Sequence, residues 1–143
     1  MKKLAGIVTA VPSMIDSSFT VRKDWMELLT KFILAGKVDG LYPCGTTGEM
    51  LYLSMDERKL IAETIVKTRN DVKSDAIVYI HAGAARIDDT IELIQHAHAI
   101  GADGAGVVTP WYYKLDDLAM FEYYDRVFSQ VPSTFPLYVY NIP

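Results

Sequence analysis

Val38-Asp39-Gly40-Leu41-Tyr42-Pro43-Cys44-Gly45-Thr46-Thr47-Gly48-Glu49 runs from an apolar segment into a glycine-flanked pair of hydroxyls, and Ser54-Met55-Asp56-Glu57 follows shortly after. The apolar part, ending at glycine, reads as a buried strand. The Ser54–Glu57 pattern, a hydroxyl with a glutamate three residues on, is a capping box that opens a helix. The whole stretch is therefore strand, turn, helix, with Thr46 and Thr47 at the end of the strand. Two adjacent hydroxyls and several free backbone N–H groups offer the donors that a carboxylate or phosphate requires, and the glycines allow a close approach. An ordinary strand-to-helix turn would use the same five residues, so the rest of the chain decides between the two.

Further apolar, β-branched runs at Leu4 to Val11, Ala76 to His81, Gly104 to Thr109 and Leu137 to Tyr140, together with Val38 to Cys44, predict five strands buried on both faces. Between them lie four segments of helical period. The first carries Val21, Trp25, Leu28, Leu29, Phe32 and Ile33 as an apolar stripe, with Thr20 as cap and Gly36 as stop. The second, from Ser54, turns Leu60, Ile61 and Ile65 inward. The third spans Asp89 to Ile100 and stops at Gly101, and the fourth starts after Asp116, buries Leu118, Phe121, Val127 and Phe128, and ends before Pro132. The glycine-rich segment Gly101 to Gly106 reads as a helix cap and turn.

Strands recur at roughly the length of one βαβ unit, about thirty residues, so the sheet is expected to be mainly parallel. Two architectures fit. A (β/α)₈ TIM barrel gathers its functional residues at the C-terminal ends of strands, but such a barrel needs about 250 residues, and this chain supplies about five strands and four helices. A doubly wound sheet is the alternative, with its ligand at a topological switch point; no G-x-G-x-x-G follows the first strand to support a dinucleotide there.

Two more stretches sit where strands run out: Val107-Val108-Thr109-Pro110-Trp111-Tyr112-Tyr113, and the terminal Tyr138-Val139-Tyr140-Asn141-Ile142-Pro143. Taken in order and spacing, GTTGE, VTPWYY and YNIP resemble the dihydrodipicolinate synthase and N-acetylneuraminate lyase family of pyruvate-dependent class I aldolases. The resemblance covers nearly the whole chain and implies the TIM barrel, with residues 1–143 as the N-terminal part of a single barrel domain.

A class I aldolase holds a keto acid by its carboxylate, forms a Schiff base to a desolvated lysine and moves protons during carbon–carbon bond formation or cleavage. The resemblance implies that Thr47 binds the carboxylate and that Thr46 shares in that binding and joins a proton relay. It implies that the Tyr140 phenol shuttles protons beside the imine, and that Tyr112 reaches into a neighbouring subunit to complete the relay. Pyruvate is the keto acid so implied, and the assembly is a homo-oligomer, a tetramer in the full-length family. No metal or organic cofactor is implied. Without the resemblance each tyrosine reads as an amphipathic packing residue.

The chain departs from the family pattern at one decisive position. The Schiff-base lysine belongs to the strand after Pro143, and none of the lysines present lies on an apolar strand, where desolvation would make it neutral enough to attack a carbonyl. The arginine that often follows YN-x-P also falls beyond the end. Trp111-Tyr112-Tyr113-Lys114 is more similar to the lyase and sugar-acid branches than to the synthase branch, and Gly36 to Gly40 is one residue longer than the usual turn. Three functions stay open: a dihydrodipicolinate synthase-like lyase, a non-catalytic half-barrel that binds or assembles, and an unrelated doubly wound anion-binding domain.

Composition narrows the partners. At 143 residues and 50% apolar, one core is affordable and two are not. A net charge of −4 without a basic cluster gives no footprint for nucleic acid or an anionic membrane. No apolar stretch approaches the roughly 20 residues of a bilayer span, and Met1-Lys2-Lys3 precedes no cleavage site, so a cytoplasmic protein is expected. The single Cys44 excludes an internal disulfide and reads as a buried strand residue. His81 at a strand end reads as structural. His96 and His98 are two apart on a helix and face different sides, and Glu49 reads as a cap or a support behind the turn.

Overall fold

The computed structural model describes residues 5–142; the expected strand start at Leu4, the lysines Lys2 and Lys3, and Pro143 lie outside them. Along the chain run β1 (Val8–Val11), α1 (Lys23–Ala35), β2 (Gly40–Pro43), a 3₁₀ turn (Met50–Tyr52), α2 (Met55–Asp71), β3 (Ile77–His81), α3 (Ile87–Ala99), β4 (Gly104–Val108), α4 (Asp117–Phe128) and β5 (Leu137–Tyr140). Every strand pairs in parallel with the next, in the order β1-β2-β3-β4-β5. A doubly wound sheet reverses its strand order at a switch point. This one never reverses, so the doubly wound alternative fails, and the chain is the first five strands and four helices of a (β/α)₈ barrel.

The sheet curls. Val8 and Ala10 of β1 line the same hollow, of about 280 Å³, as Tyr138, Val139 and Tyr140 of β5, although three strands lie between them. That hollow is the concave face of the sheet, and it is rich in tyrosine because β4 is poor in side chains. A Cβ on Gly104 would come within 2.3 Å of the Tyr79 ring, and one on Gly106 within 2.1 Å of the Tyr42 hydroxyl. Gly104 and Gly106 are thus strand residues that make room for tyrosines from β3 and β2, not the turn expected for Gly101 to Gly106. Only Gly101 acts as the expected cap, at φ +78°.

The convex face carries the helices over Leu41, Val78, Ile80, Ala105 and Val107, all buried. Burial on both faces holds for β3 and β4, but β1 and β5 are partly open, because each borders the incomplete side of the barrel. The capping box of α2 forms as expected: Glu57 N–H donates to Ser54 Oγ at 3.3 Å and Ser54 N–H to Glu57 Oε2 at 2.8 Å. Asp116 caps α4, accepting from Ala119 N–H at 2.8 Å.

Two helices turn differently from the expected stripes. In α1, Met26 and Thr30 are buried and Leu29 and Ile33 pack on the core, whereas Trp25, Leu28 and Phe32 face out, at 37, 65 and 78% exposure. Thr30 tolerates burial because its hydroxyl donates to Met26 O at 2.7 Å. Arg22, not Thr20, is the N-cap. In α4, Leu118 and Phe121 are exposed and Tyr123, Tyr124, Val127 and Phe128 pack inward. Helix α3 starts at Ile87, two residues before the expected Asp89.

At the N-terminal ends of the strands, carboxylates tie the sheet to its turns. Asp39 Oδ2 accepts from Ile7 N–H at 2.7 Å, and Asp103 Oδ2 accepts from Val78 N–H at 2.8 Å while pairing with Arg69 at 2.6 Å. Conserving geometry at this end serves the barrel itself and leaves the opposite end to ligands. Among the described residues no helix is long and apolar enough to cross a membrane.

Candidate functional site

The turn after β2 is built to expose its hydroxyls. Cys44 takes a left-handed φ of +59° and Glu49 one of +55°, which fold the segment between them back on itself. Inside it, Glu49 N–H donates to Thr46 O at 3.0 Å and Met50 N–H to Gly45 O at 3.3 Å, and from outside Ser13 Oγ donates to Gly48 O at 2.6 Å. Gly48 is obligatory, since a Cβ there would approach the Cys44 nitrogen to 2.9 Å. With their backbone so held, Thr46 and Thr47 are exposed, and neither hydroxyl makes a hydrogen bond among the described residues. Glu49 is exposed and precedes the 3₁₀ turn without a side-chain cap bond, so the expected capping role is absent.

Tyr140 is the last residue of β5, and its carbonyl accepts from Thr109 N–H at 3.4 Å, tying together the ends of β4 and β5. Its ring is 40% exposed and stands edge-on to two others, Tyr42 at 6.2 Å and His81 at 6.3 Å between centroids. Tyr42 and His81 meet edge-on at 6.0 Å, so three rings from β2, β3 and β5 enclose one point of the concave face. Tyr112, in the segment after β4, is 81% exposed and touches Tyr113. All four expected residues thus stand at the C-terminal ends of parallel strands. They are not joined: no hydrogen bond links any two of Thr46, Thr47, Tyr112 and Tyr140. Thr46 borders a hollow with Glu49, Met50 and Tyr52, Tyr112 one with Pro110 and Trp111, and Tyr140 the concave interior.

Behind the site lies a buried polar cluster centred on Arg58. Its guanidinium donates to Gly83 O at 3.0 Å and His81 O at 2.8 Å, and its Nη2 lies 3.5 Å from His81 Nδ1. The Cys44 thiol donates to the Arg58 carbonyl at 3.7 Å. Burial first, then the adjacent guanidinium, push the His81 imidazole down to about 3, with the Cys44 backbone offsetting this only in part. His81 is therefore neutral, buried and structural, as its sequence position suggests. Burial also pushes the Cys44 thiol up to about 11, which makes it inert as a nucleophile. His96 pairs with Glu63 at 2.8 Å and His98 meets Phe135 edge-on at 5.1 Å between centroids, on different sides of α3.

Arg58 and Tyr42 escape a reading of the sequence. Both leave a signal in retrospect: Arg58 is a charged residue in register with Ile61 and Ile65 on the inner stripe of α2, and Tyr42 has the strand parity of a residue facing the interior. Lysines are found on α1 and α2 and in turns, and none of the described ones lies on a strand. Lys59 and Lys67 pair with Glu92 and Asp71, which raise rather than lower their proton affinity.

The sequence model of the Dihydrodipicolinate synthetase family matches residues 3–143. A 4-hydroxy-tetrahydrodipicolinate synthase of Anaeromyxobacter dehalogenans is 35% identical over all of this chain and 46% of its own length. A probable 2-dehydro-3-deoxy-D-pentonate aldolase of Escherichia coli is 34% identical, again over all of this chain and 46% of its own length. The solved structure of a prophage protein of Escherichia coli K12, described as belonging to the dihydrodipicolinic acid synthase family and as a complex with pyruvate, superposes with a TM-score of 0.88 at 32% identity. It is matched over 96% of this chain and 45% of its own. The chain thus spans about half the length of the relatives it matches.

Proposed function

Because the chain belongs to the dihydrodipicolinate synthetase family, and its relatives include a synthase and a probable aldolase, we propose that it forms the keto-acid-binding and proton-transfer half of a pyruvate-dependent class I aldolase. In this proposal residues 1–143 are the N-terminal part of one barrel domain. The observation that carries it is the turn Gly45–Glu49, whose two threonine hydroxyls are free of protein partners at the strand end where a barrel places its chemistry.

The geometry suits the chemistry step by step. Thr47, with Thr46 beside it, donates to the carboxylate of pyruvate, and the exposed N–H groups of the turn add charge-assisted bonds. The keto carbon then points into the concave face, where Tyr140 stands at the strand end with its phenol free to carry a proton to and from the reacting carbon. Tyr112, exposed on the rim, completes the relay from a neighbouring subunit. The amine that forms the imine comes from outside these strands, since no described lysine is desolvated. Trp111-Tyr112-Tyr113-Lys114 favours the lyase and sugar-acid aldolase branches for the acceptor aldehyde.

The absence of a strand lysine from the described residues favours a second reading, a half-barrel that binds a carboxylate or assembles without catalysing. Borohydride reduction in the presence of pyruvate separates the two. The intact natural product of the gene gains the mass of a reduced pyruvate adduct if it is an aldolase, and none if it is a binder. The 143-residue chain alone gains none under the aldolase reading.

A further inference from the structure

Arg58 is buried, 5% exposed, yet no carboxylate lies within ion-pair distance of it among the described residues. Taking a guanidinium out of water is costly unless other groups satisfy it. Here its partners are neutral: two carbonyls at the end of β3 and the imidazole of His81. Such an arrangement does little for overall stability that a well-packed apolar side chain would not do. What it does uniquely is connect. Through its own carbonyl Arg58 receives the Cys44 thiol, and its guanidinium also acts on that sulfur, at the left-handed residue that launches the Thr46–Thr47 turn. Through its guanidinium it holds His81, whose ring abuts both Tyr42 and Tyr140. Tyr42 also spans the two, its ring lying beside Gly45 and edge-on to Tyr140, but it is uncharged and donates to neither.

We propose that Arg58 and His81 are positioning residues for both halves of the site, Arg58 setting the pitch of the Gly45–Glu49 turn through Cys44 and His81 setting the Tyr140 ring. The proposal rests on the aldolase reading above for its kinetic consequences and on geometry alone for its structural ones. A guanidinium has only donors, so His81 Nδ1 is the acceptor and the ring proton sits on Nε2, which is buried without a well-formed hydrogen bond. The groups facing this imidazole are Arg58 from α2, Tyr42 and the Cys44 backbone from the end of β2, and Tyr140 from β5; Asp89 of α3 acts on Arg58 from a distance. Among them Arg58 carries the only charge at neutral pH apart from Asp89, so removing it has a specific electrical signature that a loss of packing lacks.

The test uses the intact natural product of the gene with Arg58→Met, which keeps the volume and loses the donors, and Arg58→Lys, which keeps a cation but lacks the planar fork that spans these separated acceptors. By imidazole ¹⁵N NMR, wild-type His81 is expected to be a neutral Nε2–H tautomer that does not titrate between pH 5 and 8, and in Arg58→Met its midpoint rises. In pyruvate turnover, Arg58→Met is expected to lose roughly ten- to a hundred-fold in kcat/KM, with the acid limb of its pH profile displaced upward. Arg58→Lys is expected to raise KM for pyruvate with that limb unmoved. A folded Arg58→Met with wild-type His81 titration and wild-type acid limb overturns the proposal. Should Arg58→Met fail to fold, a wild-type KM in Arg58→Lys overturns it. If the wild-type protein forms no pyruvate imine, the aldolase reading falls, and the NMR comparison still decides whether Arg58 governs His81.

Discussion

Thr47 illustrates how a residue becomes a candidate for binding by being left unpaired. Its neighbours in the turn are held by backbone bonds, and the hydroxyl itself is exposed with no protein acceptor. A hydrogen bond to a charged group contributes about 1.5–3 kcal/mol. Thr47→Val in the intact gene product is therefore expected to raise KM for pyruvate roughly ten- to a hundred-fold while saturating pyruvate still gives full borohydride trapping; an unchanged KM removes Thr47 from the carboxylate site. His81 gives the complementary case of a residue whose environment sets its charge. Its folded value of about 3 lies below the 6.5 of an unperturbed imidazole, so between these limits the unfolded chain binds the extra proton and the folded one does not. Stability is thus complete above pH 6.5 and declines as pH falls toward 3, by a total on the order of a few kcal/mol. Denaturant melts of wild type and His81→Phe from pH 7 to 4 check this: the wild type should lose stability in that window, and the variant should lose markedly less. The strand-end positions of Thr46, Thr47, Tyr112 and Tyr140 were legible because each belongs to a short motif at the end of an apolar run. Arg58 was not, because a lone charge in an amphipathic helix reads as a solvated residue, and only the tertiary fold shows it pointing inward at two carbonyls.

Among the elements, strands were easier to read than helix faces. Each of the five runs became a strand because long apolar, β-branched segments bounded by glycine have few other places to go, while α1 has two candidate apolar stripes one residue apart. Met26 and Thr30 face the sheet and Trp25, Leu28 and Phe32 do not. Periodicity cannot choose between adjacent stripes; the direction in which β1 delivers the chain does. Strand β4 was legible in position but not in purpose. Its glycines looked like turn residues, yet Gly106 gives its volume to the phenol of Tyr42. Gly106→Ala would put a methyl group 2.1 Å from that hydroxyl, and overpacking of this kind typically costs about 1–3 kcal/mol. The denaturation midpoint of Gly106→Ala is expected to fall accordingly, and pairing it with Tyr42→Phe, which deletes the clashing oxygen, should recover part of the loss. A strictly additive double mutant would show that the two residues do not meet as described.

The molecule as a whole carries apolar surface where a closed barrel would have neighbours. The concave interior between β1 and β5 is open, Val139 and Tyr140 are 51 and 40% exposed, and the outer faces of α1 and α4 present Leu28, Phe32, Leu118 and Phe121 at 65 to 78%. At roughly 25 cal/mol per Å², even a few hundred Å² of such surface left in water amounts to several kcal/mol, comparable to the whole stability of a small domain. Strand edges add unpaired backbone donors and acceptors on both flanks of the sheet. The 143-residue chain in isolation is therefore expected to associate, either with copies of itself or with a chain that supplies the complementary half of the barrel. Light scattering should show a mass above that of a monomer, and Leu28→Lys with Phe32→Glu should reduce it by removing one apolar face while leaving the core residues Met26 and Ile33 untouched. A monodisperse monomer with a cooperative thermal transition would refute the expectation, and would mean that the open interior closes on itself by bringing β1 and β5 together.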